Sequence, residues 1–269
     1  MNRVRGQWLA VAAALAVGLP GCAAETPELP ADTGFDYQLS GAYPPPAGAG
    51  ILVRDRSATP HPMAYNVCYL NGLQAQPEEL AWWEAEHPGL LLRGDDGAPV
   101  IDEQWDEALF DVSSWAKRDA LLEVQRGWID ACAEAGFDAV EFDNQDSWIR
   151  SAGALDLDDA LTHLATLTGY AHGLGLAVAQ KNQGPELGAR GRDEVGFDFA
   201  IAEECAVWDE CDSYIDVYGD QVLQVEYTDQ PSGPFVDSCA RWKGHHPIIR
   251  RDRGLVAPGE PGHHYAACG

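Results

Sequence analysis

The sequence predicts an α/β protein folded as a single-domain (β/α)8 TIM barrel. Eight short apolar segments are each bounded by turn-forming residues, and stretches with helical periodicity lie between several of them. Strands that alternate with helices are typical of a parallel sheet. The chain also lacks the glycine-rich fingerprint of a dinucleotide-binding sheet, so eight strands favour a closed barrel over an open sheet.

The N-terminus carries the pattern of an export signal. Arg3 and Arg5 precede an apolar stretch over residues 8–19, which is shorter than the ~20 residues that a membrane-spanning helix needs. The pattern predicts a lipoprotein signal peptide over residues 1–21 and lipidation of Cys22. The alternative is an ordinary signal peptide cleaved one or two residues after Cys22. Both interpretations place the protein outside the cytoplasm, and in the first a lipid anchor is its only membrane contact.

Residues 22–34 are rich in Pro, Ala and acidic side chains and show no apolar period, which indicates a linker. The barrel domain then spans residues 35–269. Its predicted strands are residues 35–39, 50–55, 65–70, 138–143, 176–181, 197–203, 221–227 and 247–251.

Apolar side chains at helical spacing predict helices over residues 114–135 and 158–174, and Gly136 is placed to end the first of them. Residues 71–113 are less regular and contain Trp82, Trp83 and Trp105. Long irregular segments are usually functional or disordered, and three tryptophans argue against disorder. We therefore expect an elaborated loop region over one rim of the barrel.

The charge balance restricts the class of partner. The chain has 17 basic and 43 acidic side chains and a formal net charge of -26. This excludes a nucleic-acid binder that relies on a basic patch. A charged partner should be cationic, although an acid excess also serves to keep an exported protein in solution.

The cysteine content agrees with export. Besides Cys22 the chain has Cys68, Cys132, Cys205, Cys211, Cys239 and Cys268. An even number in an oxidising compartment predicts up to three disulfides, and Cys205–Cys211 and Cys239–Cys268 are plausible pairs among many. A zinc site is the competing interpretation, but the chain has no CxxC pair. We predict no metal ion and no other cofactor.

Polar residues at the ends of the predicted strands mark the candidate site, because the loops of barrel enzymes converge there. Carboxylates, amides and phenols dominate, which suits sugar hydroxyls and amines better than phosphates. The candidates for substrate binding are Asp55, Tyr69, Glu141, Asn144, Trp148, Lys181, Asn182, Glu204, Glu226 and Tyr227. Trp105, Trp148 and Tyr227 are candidates for stacking on sugar rings.

Strand alternation selects two carboxylates for catalysis. It places Asp143 at the rim with Glu141 one layer below, and it allows only one of Glu203 and Glu204 to face the cavity, for which we choose Glu203. Two carboxyl groups across a barrel mouth are what glycoside hydrolysis requires. The alternatives are a capping role for Asp143 and an ion pair between Glu203 and Lys181 or Arg251.

A set of motifs makes the function more specific. The segments FDYQL, GFDAVEFDNQDSW, GLAVAQKN, FDFAIAEEC and VLQVEY occur in this order. Together they resemble glycoside hydrolase family 114, from about residue 35 to residue 227 and more loosely to the C-terminus. The resemblance implies a (β/α)8 barrel and endo-hydrolysis of α-1,4-linked polygalactosamine. It also implies a retaining mechanism with Asp143 as nucleophile and Glu203 as acid/base.

The implied substrate agrees with the charge, because deacetylated galactosamine polymers are cationic near neutral pH and would be attracted to an acidic protein. We therefore expect a monomer whose partner is an amino-sugar polysaccharide. Two alternatives remain: a non-catalytic polysaccharide-binding lipoprotein with the same fold, and a related exo-acting glycosidase.

Overall fold

The computed structural model describes residues 27–268, which form one barrel with peripheral helices. Its strands are β1 (Gly34–Gln38), β2 (Ala49–Asp55), β3 (Tyr65–Asn71), β4 (Gln74–Ala75), β5 (Ile101–Asp102), β6 (Glu107–Leu109), β7 (Ala139–Asp143), β8 (Ala177–Lys181), β9 (Phe199–Glu203), β10 (Val222–Tyr227), β11 (Ile248–Arg251) and β12 (Tyr265–Ala267). Its α-helices are α1 (Leu80–Glu86), α2 (Trp115–Ala135), α3 (Ser147–Arg150), α4 (Leu157–Gly173), α5 (Gly184–Leu187), α6 (Cys205–Trp208), α7 (Cys211–Tyr218) and α8 (Ser232–Trp242).

Eight parallel strands build the barrel wall in the order β1-β2-β3-β7-β8-β9-β10-β11, and β12 adds to β11 in the antiparallel direction. β11 also lies beside β1, which brings the two ends of the sheet together. This arrangement confirms the predicted TIM barrel. Each of the eight predicted strands is present, and so are both predicted helices. Gly136 ends α2 in the left-handed conformation, with a φ of 91°.

A buried ion pair holds the seam between the last and first barrel strands. Arg251 is fully buried, and its Nη1 lies 2.5 Å from Asp36 Oδ1. The same guanidinium donates to the carbonyl of Tyr37 and, at 2.9 Å, to that of His264. A charge buried at this depth is tolerated only when it is paired and hydrogen-bonded, so this seam depends on both partners.

Two apolar layers follow from the alternation of side chains along the strands. Inward-facing residues such as Phe35, Val67, Phe199 and Ile249 fill the barrel. Outward-facing residues pack against the helices and include Leu70, Val140 and Ala202. The interior is therefore a packed core, and only the strand ends are free to form a site.

The segment between β3 and α2 is ordered rather than a simple loop. β4, β6 and β5 form a small antiparallel sheet in that order, and we call residues 74–110 the rim insert. Trp83 is fully buried in it and packs against Phe110 and Trp128. The predicted elaboration over one rim thus packs into the outer apolar layer of the barrel.

Three disulfides are formed: Cys68–Cys132 ties β3 to α2, Cys205–Cys211 links α6 to α7, and Cys239–Cys268 ties α8 to the C-terminal segment. The two pairs suggested from the sequence are therefore correct. Cys205, Cys211 and Glu226 also group within 4.8 Å, but the two sulfurs are bonded to each other and are not free thiolates for a metal.

The predicted signal peptide and Cys22 lie outside the described residues. Of the predicted linker, residues 27–33 lie against the barrel. Leu29 is buried and its N–H donates to Gln221 Oε1 at 2.9 Å, while Tyr65 donates to the Pro27 carbonyl at 2.8 Å. Between residues 27 and 268, no helix has the length and apolar character required to cross a bilayer.

Candidate active site

A cavity of about 550 Å³ opens where the barrel strands end. It brings together nine of the residues selected from the sequence: Tyr69, Trp105, Asp143, Asn144, Lys181, Asn182, Glu203, Glu204 and Tyr227. The parallel strands explain this, because Asp143 lies opposite Asn71 and Glu203 opposite Val225 in register. Residues at the same level of a parallel barrel converge on one mouth.

Lys181 is the centre of the site. Its Nζ lies 3.0 Å from Asp143 Oδ1, 2.9 Å from Glu141 Oε1 and 3.4 Å from Glu203 Oε2. It also contacts the Tyr37 hydroxyl at 3.0 Å. Burial alone would lower the pKa of Lys181, but the three carboxylates raise it well above its usual range. Lys181 is thus a charged ammonium, and it is poorly suited to act as a nucleophilic amine.

Asp143 is held in its ionised form. Burial pushes its pKa upward, but the Lys181 ammonium, the Tyr69 hydroxyl and the backbone N–H of Asn144 outweigh burial, and the pKa is lowered. Tyr69 donates to Asp143 Oδ2 at 2.7 Å, while Oδ1 faces Lys181. About a fifth of the side chain remains exposed, which leaves it accessible to a ligand.

Glu203 is oriented by two neighbours. Asn182 Nδ2 donates to its Oε2 at 3.0 Å, and the Tyr227 hydroxyl donates to its Oε1. Asn182 also accepts the backbone N–H of Glu203 at 2.9 Å, from a left-handed conformation that asparagine tolerates well. The ion pair with Lys181, one of the two considered from the sequence, is present. Arg251 pairs with Asp36 instead.

The separation of the two candidate catalytic carboxylates is limited by the lysine between them. Since Asp143 Oδ1 and Glu203 Oε2 lie 3.0 and 3.4 Å from one Nζ, their distance cannot exceed the sum of these two values. Their approach to the same cation also reduces the repulsion between two neighbouring anions.

Glu204 faces the cavity as well, contrary to the expectation that only one of the adjacent glutamates could do so. It lies just past β9 in the left-handed conformation, with a φ of 58°, so strand alternation does not apply to it. Its carboxylate pairs with Arg253, whose guanidinium stacks 4.0 Å above the Tyr227 ring. Arg253 was not among the sequence candidates.

Two candidates are buried away from the cavity. Glu141 is fully buried beneath it, with Tyr37 donating to its Oε1 at 2.5 Å, and burial raises its pKa against the opposing effect of Lys181. It supports Lys181 and does not reach a ligand. Glu226 points to the outer face of β10 and accepts the N–H of Ala206 at 3.0 Å. The sequence order alone does not show which face a strand-end carboxylate takes.

Two further candidates also lie away from the cavity. Asp55 accepts the N–H of Ser57 at 2.8 Å and lines a separate depression. Trp148 packs on the outer core and its Nε1 donates to Gln183 at 3.2 Å. The structure thus places Asp55, Glu141, Trp148 and Glu226 outside the lining of this cavity.

Some residues that line the cavity were not among the candidates selected from the sequence. Glu107 and Gln104 come from the rim insert, next to the predicted Trp105, and Trp208 comes from the turn closed by the Cys205–Cys211 disulfide. Trp105 and Trp208 are both exposed, at 47% and 63%. The rim insert has no periodicity that would place its residues. Trp208, in contrast, closely follows the FDFAIAEEC segment and could have been considered.

A barrel that brings two carboxylates together at its mouth has the arrangement that glycoside hydrolysis requires. The model of glycoside-hydrolase family GH114 matches residues 19–268, so the chain belongs to this family and is a glycoside hydrolase. The resemblance read from its motifs is therefore confirmed.

Solved structures share the fold. The crystal structure of Aspergillus fumigatus Ega3 in complex with galactosamine is similar with a TM-score of 0.69 and 17% identity, over 91% of this chain and 100% of that one. The glycoside hydrolase domain of PelA from Pseudomonas aeruginosa is similar with a TM-score of 0.56 and 14% identity, over 85% and 97%. Among curated proteins, none matches this sequence.

Proposed function

We propose that this protein is an exported endo-acting hydrolase of α-1,4-linked galactosamine polysaccharide that works with retention of configuration. The observation that carries the proposal is the placement of Asp143 and Glu203 on either side of Lys181 in one accessible cavity. Each has an ordered set of donors and a partly exposed carboxyl group.

In the proposed mechanism Asp143 attacks the anomeric carbon and Glu203 protonates the departing glycosidic oxygen. A nucleophile must be ionised, and Lys181 and Tyr69 hold the pKa of Asp143 down. Water then attacks the glycosyl-enzyme, and Glu203 acts as the base that takes a proton from this water. Glu203 is thereby protonated again and can serve as the acid in the next cycle. Asn182 and Tyr227 keep Glu203 in place for both proton transfers.

The geometry is compatible with the retention of configuration that the family resemblance implies. Retaining pairs hold their carboxyl groups about 5–5.5 Å apart, whereas inverting pairs stand about 6.5–9.5 Å apart to admit a water molecule. The shared ammonium keeps the facing oxygens of Asp143 and Glu203 no further apart than the sum of 3.0 and 3.4 Å, which is compatible with a retaining pair. This supports a covalent intermediate on Asp143.

Three observations support an amino-sugar polymer as substrate. The net charge of -26 favours a cationic ligand. Acidic side chains line the cavity beyond the catalytic pair, and Trp105 and Trp208 offer exposed rings at its mouth. Ega3, whose fold is similar, was crystallised with galactosamine. The predicted signal peptide and Cys22 support export and a lipid anchor.

The test is release of reducing ends from partially deacetylated α-1,4-galactosaminogalactan by the chain from residue 23 onward. We expect the wild type to produce oligomers of mixed length, and we expect Asp143→Asn and Glu203→Gln to be slower by about 10³-fold or more. Release of single sugars would indicate the exo-acting alternative. Binding without cleavage would indicate the polysaccharide-binding lipoprotein, and neither binding nor cleavage would reject this substrate.

A further inference from the structure

Glu107 is a carboxylate of the rim insert that faces the catalytic cavity. It begins β6 and is 8% exposed, and it lines the same cavity as Asp143. Its Oε2 accepts two hydrogen bonds, from Asn71 Nδ2 at 2.8 Å and from Asn144 Nδ2 at 2.7 Å. The two amides fix one oxygen and leave Oε1 without a hydrogen bond from any described residue.

The partners of Glu107 are all neutral. Asp143 and Glu203 share Lys181, and Glu204 pairs with Arg253. Within residues 27–268, in contrast, no Lys, Arg or His nitrogen comes within ion-pair distance of Glu107. A carboxylate buried with only neutral donors is costly to keep ionised. The ionised form of Glu107 becomes favourable when a ligand brings the missing positive charge.

The position of Glu107 relative to Asp143 indicates which substrate atom it would meet. Asn144 directly follows Asp143 in the chain and donates to Glu107, so the two carboxylates lie on neighbouring parts of the cavity wall. In an amino sugar the amine is carried by C2, the carbon bonded to the anomeric carbon that the nucleophile attacks. A group that recognises this amine must therefore lie beside the nucleophile.

Resting on the function proposed above, we infer that Glu107 is the specificity-determining residue that binds the ammonium at C2 of the sugar attacked by Asp143. The contact pairs Oε1 with the cation while Asn71 and Asn144 hold Oε2. An N-acetylated sugar has no cation at this position and brings a larger neutral group, so Glu107 selects deacetylated units of the polymer.

The electrostatics of the empty cavity agree with this role. Burial, with a contribution from Asp143, raises the pKa of Glu107 to about 7, although the Asn71 and Asn144 amides act in the opposite direction. An ammonium bound at Oε1 would stabilise the ionised form. Binding of the amine and loss of the carboxyl proton are therefore coupled.

The test compares oligomers of one length that carry an amine, a hydroxyl or an acetamide at C2. Their dissociation constants are measured by calorimetry in the slow Glu203→Gln background, with Glu107 intact and with Glu107→Gln or Glu103→Gln added. Glu103 is an exposed acid of the same insert that does not line the cavity, so its replacement removes the same charge without the contact. The Glu107→Asp variant keeps the charge and tests for rescue.

We expect Glu107→Gln to weaken binding of the amine oligomer by about 10- to 100-fold, as for a lost charge-assisted hydrogen bond, and to leave the hydroxyl oligomer unchanged. We expect Glu103→Gln to change neither affinity, and Glu107→Asp to recover part of the amine preference. Equal losses for all three oligomers would show a merely structural role and would overturn the inference, as would an unchanged amine affinity.

These outcomes separate the inference from the function on which it rests. If the wild type cleaves the deacetylated polymer while Glu107→Gln keeps full amine affinity, only the role of Glu107 is rejected. If the wild type neither binds nor cleaves the amine oligomer, both the substrate class and the role of Glu107 are rejected.

Discussion

The ionisation of Asp143 depends on individual neighbours that each act on one oxygen. Lys181 faces Oδ1 and Tyr69 donates to Oδ2, and together they overcome the effect of burial on its pKa. Asp143 itself and then Glu141, which is fully buried below the cavity, raise the pKa of Lys181 against the effect of burial. The reactivity of one carboxylate thus depends on a residue one layer deeper in the barrel.

This dependence predicts a change in the pH profile of Tyr69→Phe. Loss of the hydroxyl removes a donor that stabilises ionised Asp143, so the pKa of Asp143 rises. Because the ionised form is the nucleophile, the acidic limb of kcat/KM should move to higher pH. Activity at the optimum should fall by about tenfold, as for the loss of one hydrogen bond to a charged group.

The matched control is Tyr218→Phe, which removes a buried tyrosine hydrogen bond to Gln180 outside the cavity. It should lower the melting temperature without moving the acidic limb. If Tyr69→Phe leaves the limb where it is in the wild type, Asp143 does not set it.

At the residue scale the sequence was most informative within regular strands. Alternation placed Asp143 above Glu141 and selected Glu203, as the structure has them. It was uninformative where a strand ends, because Glu204 turns into the cavity through a left-handed backbone conformation. Glu226 lies on the outer face of β10 because its neighbours Val225 and Tyr227 face inward and successive side chains of a strand alternate.

Single elements supply the parts of the cavity that the barrel itself does not. The rim insert contributes Trp105 and Glu107, and the disulfide-closed turn after β9 contributes Trp208. The sequence located the insert and expected it over a rim, but not its antiparallel pairing. Two-residue strands depend on tertiary contacts rather than on a local pattern that can be read from the sequence.

The insert therefore predicts a binding defect for Trp105→Ala. If the exposed ring stacks on a sugar at the mouth, its loss should raise KM for the polymer by about two- to tenfold and leave kcat nearly unchanged. The comparison is Trp115→Ala, which removes an exposed tryptophan, 74% accessible, that does not line the cavity. A fall in kcat with unchanged KM would contradict a role limited to binding.

The closure of the barrel can be tested in the same way. Arg251→Met leaves Asp36 buried without its cation, so the free energy of unfolding should fall by about 3–5 kcal/mol in denaturant titrations. Arg241→Met breaks an exposed pair with Asp212 and should change it by less than about 1 kcal/mol. Similar effects of both changes would mean that the seam is held by other contacts.

For the whole molecule, eight strands and two long helices could be predicted because each carries a local apolar pattern and a turn signal. The seam between β11 and β1 could not, since Arg251 and Asp36 are separated by most of the chain and only tertiary structure brings them together. The set of residues that line the cavity depends both on local sequence patterns and on contacts that form only in the tertiary structure.

The net charge acts on the molecule as a whole and predicts a salt dependence. With a charge of -26, the protein should attract a cationic polymer over a distance that shortens as ionic strength rises. We expect kcat/KM for the deacetylated polymer to fall by about tenfold or more between low salt and roughly 0.5 M salt, with kcat little affected. A neutral oligomer should show no such trend, and an equal trend for both would point to a salt effect on the protein itself.

The most direct test of the central claim is azide rescue of Asp143→Ala and Glu203→Ala with an α-galactosaminyl fluoride donor, whose leaving group needs no acid. If Asp143 is the nucleophile and Glu203 the acid/base of a retaining enzyme, azide should give the β-azide with Asp143→Ala and the α-azide with Glu203→Ala. The exchanged pattern would reverse the two roles. Absence of rescue in both variants, with a wild type that turns over the fluoride, would contradict the assignment of these two carboxylates.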